Sequence, residues 1–153
     1  MRELHFVQKL PIPLDQAWRF FSDPANLKQI TPKHMGFIVT SKEQRDMYKG
    51  QIIQHVVKPL LGIPLNWCTE ITQVEEKKYF IDEQRFGPYT FWHHQHWFQE
   101  IEGGVLMEDI LHYKVPLGPI GLVVDKLLVE KKVSQIFEFR KQALLDRFGM
   151  WHS

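Results

Sequence analysis

Cysteine is nearly absent from this chain: among 153 residues there is one, Cys68. No intramolecular disulfide can form, and a reducing compartment fits best. An excess of charge of either sign is absent too. Nineteen Lys and Arg stand against eighteen Asp and Glu, a formal net charge of +1. That balance gives no electrostatic footprint for nucleic acid, and none is expected as a partner. Long apolar runs are missing as well. The longest uncharged apolar stretch, 115–124, contains Pro116, Gly118, Pro119 and Gly121 and stops at Asp125, about half the length of a membrane span. No integral membrane association is expected. The opening residues carry Arg2, Glu3 and His5 where a secretory leader needs an apolar core, so the expected location is the cytoplasm. There is no repeat, low-complexity tract or linker. A single domain, 1–153, is expected, large enough to bury roughly 68–70% of the surface of its unfolded chain without staples.

What the chain has in quantity is aromatic side chains: eleven Phe, five Trp and four Tyr, several beside histidines. The apolar period organises them. Residues 4–10 alternate and end at Pro11 and Pro13, which predicts a first strand. Residues 15–21 place Ala17, Trp18, Phe20 and Phe21 on or near one helical face. Ser22-Asp23-Pro24 then breaks that helix and opens a second short one over 26–30, closed by Thr31-Pro32. From Gly36 onward, runs at 37–41, 51–58, 65–74, 79–86, 89–101 and 105–115 read as consecutive antiparallel strands, mostly joined by hairpin-length loops. After Pro119 the period returns to helical. Val123, Leu127, Val133, Phe137, Leu144 and Phe148 mark one long amphipathic helix over 120–148, about 40 Å at 1.5 Å per residue. The order of elements predicts an α+β domain: a curved antiparallel sheet of six or seven strands wrapped around a long C-terminal helix, with two short helices after strand 1.

The run Phe80-x-Asp82-x-Gln84-x-x-Gly87-Pro88-Tyr89-x-x-Trp92-x-His94-x-His96-x-Phe98, with Asp109, Tyr113, Pro116 and Gly118 after it, resembles the START-like (SRPBCC) ligand-binding proteins of helix-grip fold. Within them it is similar to the small bacterial proteins grouped with polyketide cyclases, aromatase-like dehydratases and coenzyme Q-binding proteins. The resemblance spans nearly the whole chain. It implies a hydrophobic pocket under the last helix and no metal or other cofactor. Members range from lipid carriers to enzymes, so the fold does not choose the function.

Pairing places the chemistry. If Gly103-Gly104 is a two-residue turn, Phe98 opposes Asp109, His96 opposes Leu111, His94 opposes Tyr113 and Trp92 opposes Val115, all on one face. Gln99, Glu108, Gln95, His112, His93 and Lys114 fall on the other face, read as solvated. The same parity puts Gln84 near Trp92, Asp82 near His94 and Phe80 near His96. A turn at Glu76-Lys77 adds Trp67, Thr69 and Ile71 to the inner face and leaves Cys68 outside and inert. The expected ligand-binding residues are Trp67, Thr69, Asp82, Gln84, Trp92, His94, His96, Phe98, Asp109 and Tyr113: an aromatic wall with a polar stripe.

Three chemistries suit that stripe. In the first, the polar groups satisfy one another and line a pocket, with Asp82 orienting His94 and with Asp109 or Tyr113 serving His96. In the second, Asp82 and His94 act as a general base and Tyr113 as a hydroxyl donor, for enolisation, cyclisation or dehydration. In the third, His-x-His plus an aspartate holds a metal. The third is set aside because strand spacing alone is a weak signal and no third imidazole or thiolate is expected on that face. Trp18, Phe20 and Phe21 read as core. Lys126, Glu130, Lys131, Lys132, Arg140 and Lys141 read as the exposed face of the last helix. The apolar loops 60–64 and 117–122 read as the rim of the pocket mouth. The expected function is binding or carriage of a small apolar, aromatic or lipid-like molecule in a cavity between sheet and helix. The alternative is a cyclase, aromatase or dehydratase using Asp82 and His94.

Overall fold

The structure, a computed structural model, describes residues 1–41, 46–58, 63–116, 118–119 and 128–151. Strand β1 (Arg2–Leu10) is followed by helix α1 (Leu14–Phe21), two 3₁₀ turns (Pro24–Ile30 and Lys33–Met35) and strands β2 (Ile38–Val39), β3 (Ile52–Val57), β4 (Leu65–Glu75), β5 (Tyr79–Phe86), β6 (Phe91–Ile101) and β7 (Gly104–Lys114). Helix α2 (Glu130–Phe148) closes the order. The expected beginning of that helix, over 120–127, and most of the two expected rim loops lie outside the described residues. All seven strands form one antiparallel sheet in the order β1-β7-β6-β5-β4-β3-β2, so the meander is closed by the first strand pairing with the last. This is the helix-grip architecture.

Period-2 burial sets which face meets α2. On β7, Val105, Met107, Asp109, Leu111 and Tyr113 are buried while their neighbours are not. On β6 the buried set is His94, His96 and Phe98. Helix α2 lays Val133, Phe137, Arg140 and Leu144 onto this face. Phe137 stacks on Phe6 of β1 with ring centroids 3.9 Å apart, and Val133 and Phe137 cluster with Leu111 and Tyr113. At the other end α1 buries Ala17, Trp18, Phe20 and Phe21, with Trp18 edge-on to Phe80 and Phe98 at 6.1 and 5.7 Å. The second short helix is a 3₁₀ turn with Pro24 in its first turn, capped by Asp23 accepting from the Ala25 N–H at 2.9 Å.

The β6–β7 register differs from the expected one by two residues. Phe98 opposes Met107, His96 opposes Asp109, His94 opposes Leu111 and Trp92 opposes Tyr113. On the outer face Gln99 opposes Leu106, Gln95 opposes Ile110 and His93 opposes His112. The cause lies in the two glycines, which do different work. Ile101 pairs Gly104 across a turn made of Glu102 and Gly103, with Gly103 at φ 84° supplying the left-handed conformation. Gly104 is already in the strand, and a Cβ there would stand 2.1 Å from the Leu10 carbonyl oxygen of β1. A slip of two leaves every side chain on its face, so the inner and outer sets keep their sides.

The β4–β5 connection compensates in the opposite way. Glu75 pairs Tyr79 around a three-residue loop with Lys77 at φ 62°. A register shift between Ile71 and Gln73 then absorbs the extra residue. Beyond it Ile71 opposes Asp82 and Thr69 opposes Gln84.

Candidate functional site

Between the inner face of the sheet, α2 and the 3₁₀ turns lies a cavity of about 980 Å³. Its wall is mostly apolar. Ile53 and Val57 come from β3, Trp67 and Ile71 from β4, Phe80 from β5, Trp92 from β6 and Val133 and Ile136 from α2. Trp67 meets Trp92 edge-to-face at 5.0 Å and Tyr89 at 5.5 Å, a continuous aromatic corner. Three ionisable groups converge at one place on this wall, Asp82, His94 and His96.

Strand geometry explains that convergence. His94 and His96 are alternate residues of β6 and so project together. The flanking strands set Asp82 directly opposite His94 and Asp109 directly opposite His96. The hydrogen bonds run diagonally instead: His96 Nε2 lies 2.7 Å from Asp82 Oδ2, and His94 Nε2 lies 3.0 Å from Asp109 Oδ1. His96 Nδ1 also comes within 2.9 Å of Asp109 Oδ1, at an angle too bent for a hydrogen bond. His94 Nδ1 stands 3.5 Å from Asp82 Oδ2. The two imidazoles lie with centroids 3.8 Å apart, and Phe80 stacks on His96 at 4.1 Å. Thus Asp82 does stand opposite His94, as expected, but its hydrogen bond goes to His96, and His94 is bonded by Asp109.

Arg140 completes the cluster. The sequence reading set it on the exposed face of the last helix; it is instead buried, with Nη1 3.3 Å from Asp109 Oδ1 and its guanidinium over Phe21 and Phe137. Buried charges need such partners. Burial pushes the Asp109 carboxyl up, but Arg140 and the two imidazoles outweigh it and hold Asp109 well below the usual carboxylate range. Asp82 is likewise lowered against its burial by the His96 bond and by the charge of both histidines. Burial pulls His96 down, yet Asp109 and Asp82 raise it above an ordinary histidine. His94 goes the other way, lowered by burial and by neighbouring His96 despite its bond to Asp109. The cluster thus sets the Asp109 and Asp82 carboxylates against Arg140 and two imidazoles, of which His96 is the more readily protonated.

Of the expected ligand-binding residues, Trp67, Thr69, Asp82, Trp92, His94 and His96 stand on the cavity wall. The other four do not appear among its described lining residues. Gln84 turns to the β5–β6 connection, donating to the Tyr89 carbonyl at 2.6 Å and accepting from the Tyr89 N–H at 3.2 Å. Phe98 packs with Trp18 and Phe21 in the core. Asp109 sits behind the histidines and opens to a smaller recess on the β1–α2 side, with His5, Gln8 and Arg140. Tyr113 is buried beneath α2 and opposes Trp92 rather than His94.

Two buried polar groups on the wall were missed. Arg140 is one. His55 of β3 is the other: buried between Phe37 and Trp67, with centroids at 4.8 and 5.6 Å, and lowered by burial to about 4 against the pull of Asp82. It is a third imidazole on the inner face, where none was expected. The opposite face of the sheet carries exposed or half-buried pairs, His93 with Glu83, His112 with Glu3 and His5 with Glu108, as a solvated face should.

No family model and no curated protein matches the sequence. Solved structures do match the fold. A START superfamily protein from Mycobacterium smegmatis superposes with a TM-score of 0.72 over 95% of this chain and 96% of its own, at 15% identity. Protein CV1439 from Chromobacterium violaceum gives 0.71 over 97% and 98%, at 13% identity. TTHA0849 from Thermus thermophilus gives 0.66 over 95% and 99%, at 14% identity. At these identities the likeness establishes the helix-grip fold of START-like proteins and nothing finer. No helix among the described residues is long and apolar enough to cross a membrane.

Proposed function

We propose that this protein binds and carries a small, largely apolar molecule, aromatic or lipid-like, whose one polar end meets Asp82, His94 and His96. The observation that carries the reading is a cavity of about 980 Å³ with a mostly apolar wall, in which Asp82, His94 and His96 converge on one spot. Apolar walls supply contact area, and a few placed polar groups fix orientation. The chain's cysteine is free, which supports a cytoplasmic setting.

Native mass spectrometry of freshly purified protein tests this. A retained small molecule is expected, and hydrophobic ring-containing probes should shift the emission of Trp67 and Trp92 and raise the melting temperature. Absence of a retained molecule, together with unchanged emission and melting, refutes it.

A second reading, an enzyme of the cyclase or dehydratase type, is favoured by one observation: the Asp82–His96 pair at 2.7 Å faces the cavity as a general acid–base couple would. Asp82→Asn separates the two. A carrier loses affinity. An enzyme keeps binding and loses turnover by roughly 10² to 10⁴-fold, the contribution of general acid–base catalysis.

A further inference from the structure

The nitrogens of the two buried imidazoles sort into two sets. His94 Nε2 and His96 Nδ1 both lie within 3.0 Å of one oxygen, Asp109 Oδ1. The remaining nitrogens, His94 Nδ1 and His96 Nε2, both approach one other oxygen, Asp82 Oδ2, at 3.5 and 2.7 Å. The second set is on the cavity side, since Asp82, His94 and His96 line the cavity, whereas Asp109 is reached from the recess behind them. One donor atom from each of Asp82, His94 and His96 lies within 4.8 Å of the other two.

We propose that His94 Nδ1, His96 Nε2 and Asp82 form a site for one divalent first-row transition metal ion, oriented from behind by Asp109 and open toward the cavity. The spacing fits. Donors about 2.1 Å from a shared ion stand about 3.0 to 3.4 Å apart at octahedral or tetrahedral angles, and the two nitrogen–oxygen gaps bracket that range. The arrangement behind the site fits as well, because a metal-bound imidazole characteristically gives its other N–H to a carboxylate. Here Asp109 is hydrogen-bonded to His94 Nε2 at 3.0 Å and stands 2.9 Å from His96 Nδ1, with Arg140 at 3.3 Å offsetting its charge. Two imidazoles and a carboxylate without thiolate suit zinc, iron(II) or cobalt(II). Three protein donors leave at least one position open, the pattern of a reactive or ligand-exchanging site rather than a closed structural one. An oxygen-bearing end of the cavity's ligand is the group that would reach it. Metal uptake requires both liganding nitrogens to be free of protons, so affinity weakens as pH falls. The inference goes beyond the carrier reading, and it is tested with metal alone, so each can fail without the other.

The experiment is a zinc titration of chelator-stripped protein against a chromophoric competitor, with cobalt(II) absorption as a second probe. One ion per chain is expected. His94→Ala and Asp82→Asn should weaken binding by more than about 100-fold, and Asp109→Asn by about 10- to 100-fold, as for outer carboxylates elsewhere. His93→Ala, on the same strand but the outer face, should leave affinity unchanged. In wild type, imidazole ¹⁵N spectra of the zinc form should show His94 bound through Nδ1 and His96 through Nε2, a readout independent of whether any variant folds. Sub-stoichiometric uptake, uptake that survives both His94→Ala and Asp82→Asn, or zinc that leaves both imidazole signals unmoved would overturn the proposal.

Discussion

His55 offers the sharpest test of how dry the cavity wall is. Its imidazole is buried between Phe37 and Trp67 and titrates at about 4, because burial penalises the charged form more than Asp82 favours it. An unfolded chain carries this group near 6.5. Between those values the unfolded state binds more protons than the folded one, so stability rises with pH and is lost as pH falls from 6.5 toward 4. Integrating the two titrations gives a loss of about 0.2 kcal/mol at pH 7, about 1.4 kcal/mol at pH 5.5 and about 3 kcal/mol at pH 4. Other carboxyl and imidazole groups titrate in the same range, so the measurement is a difference. Urea unfolding of wild type and of His55→Phe, which keeps an aromatic ring between Phe37 and Trp67, is followed at pH 7, 5.5 and 4. The gap between the two proteins should move by those amounts in favour of the variant. A gap that stays constant from pH 7 to pH 4 would mean that His55 is charged in the folded protein at no penalty, and that this side of the cavity is wet.

Three shorter expectations concern the frame around the site. Arg140→Met should cost about 3 kcal/mol in chemical denaturation, since it takes the guanidinium away from the buried Asp109 carboxylate; adding Asp109→Asn should recover part of the loss, and a fully additive double variant would refute the coupling. Gly104→Ala should cost about 1–3 kcal/mol through overpacking, because the new methyl meets the Leu10 carbonyl and the Trp151 ring; an unchanged melting temperature would contradict the β1–β7 contact. Phe6→Ala should cost about 3 kcal/mol, the loss typical of a truncated phenyl ring, because it removes the ring stacked on Phe137; a loss below about 1 kcal/mol would show that α2 is not anchored there.

The sequence made the faces of the sheet legible but not the partners across it. Side-chain parity survives a slip of two, so Asp82, His94, His96 and Asp109 could be set on the inner side from alternation alone. Which atoms met depended on how Gly103 and Gly104 divided the turn, on a compensating irregularity in β4, and on diagonal reach between strands. None of these follows from period. The two missed residues did leave a trace. His55 lies between Ile53 and Val57, both buried on β3, so the same alternation carried one strand further would have turned it inward. Arg140 falls three residues after Phe137 and four before Leu144, on the apolar stripe of α2 rather than its charged side. Charge balance gives the same answer by a separate route. Two carboxylates assigned to a buried face demand two cations there; one imidazole supplies the first, and the one arginine at stripe spacing on the covering helix is the candidate for the second. Parity and neutrality taken together therefore specify this cluster more fully than strand pairing does, and they do so before any register is known.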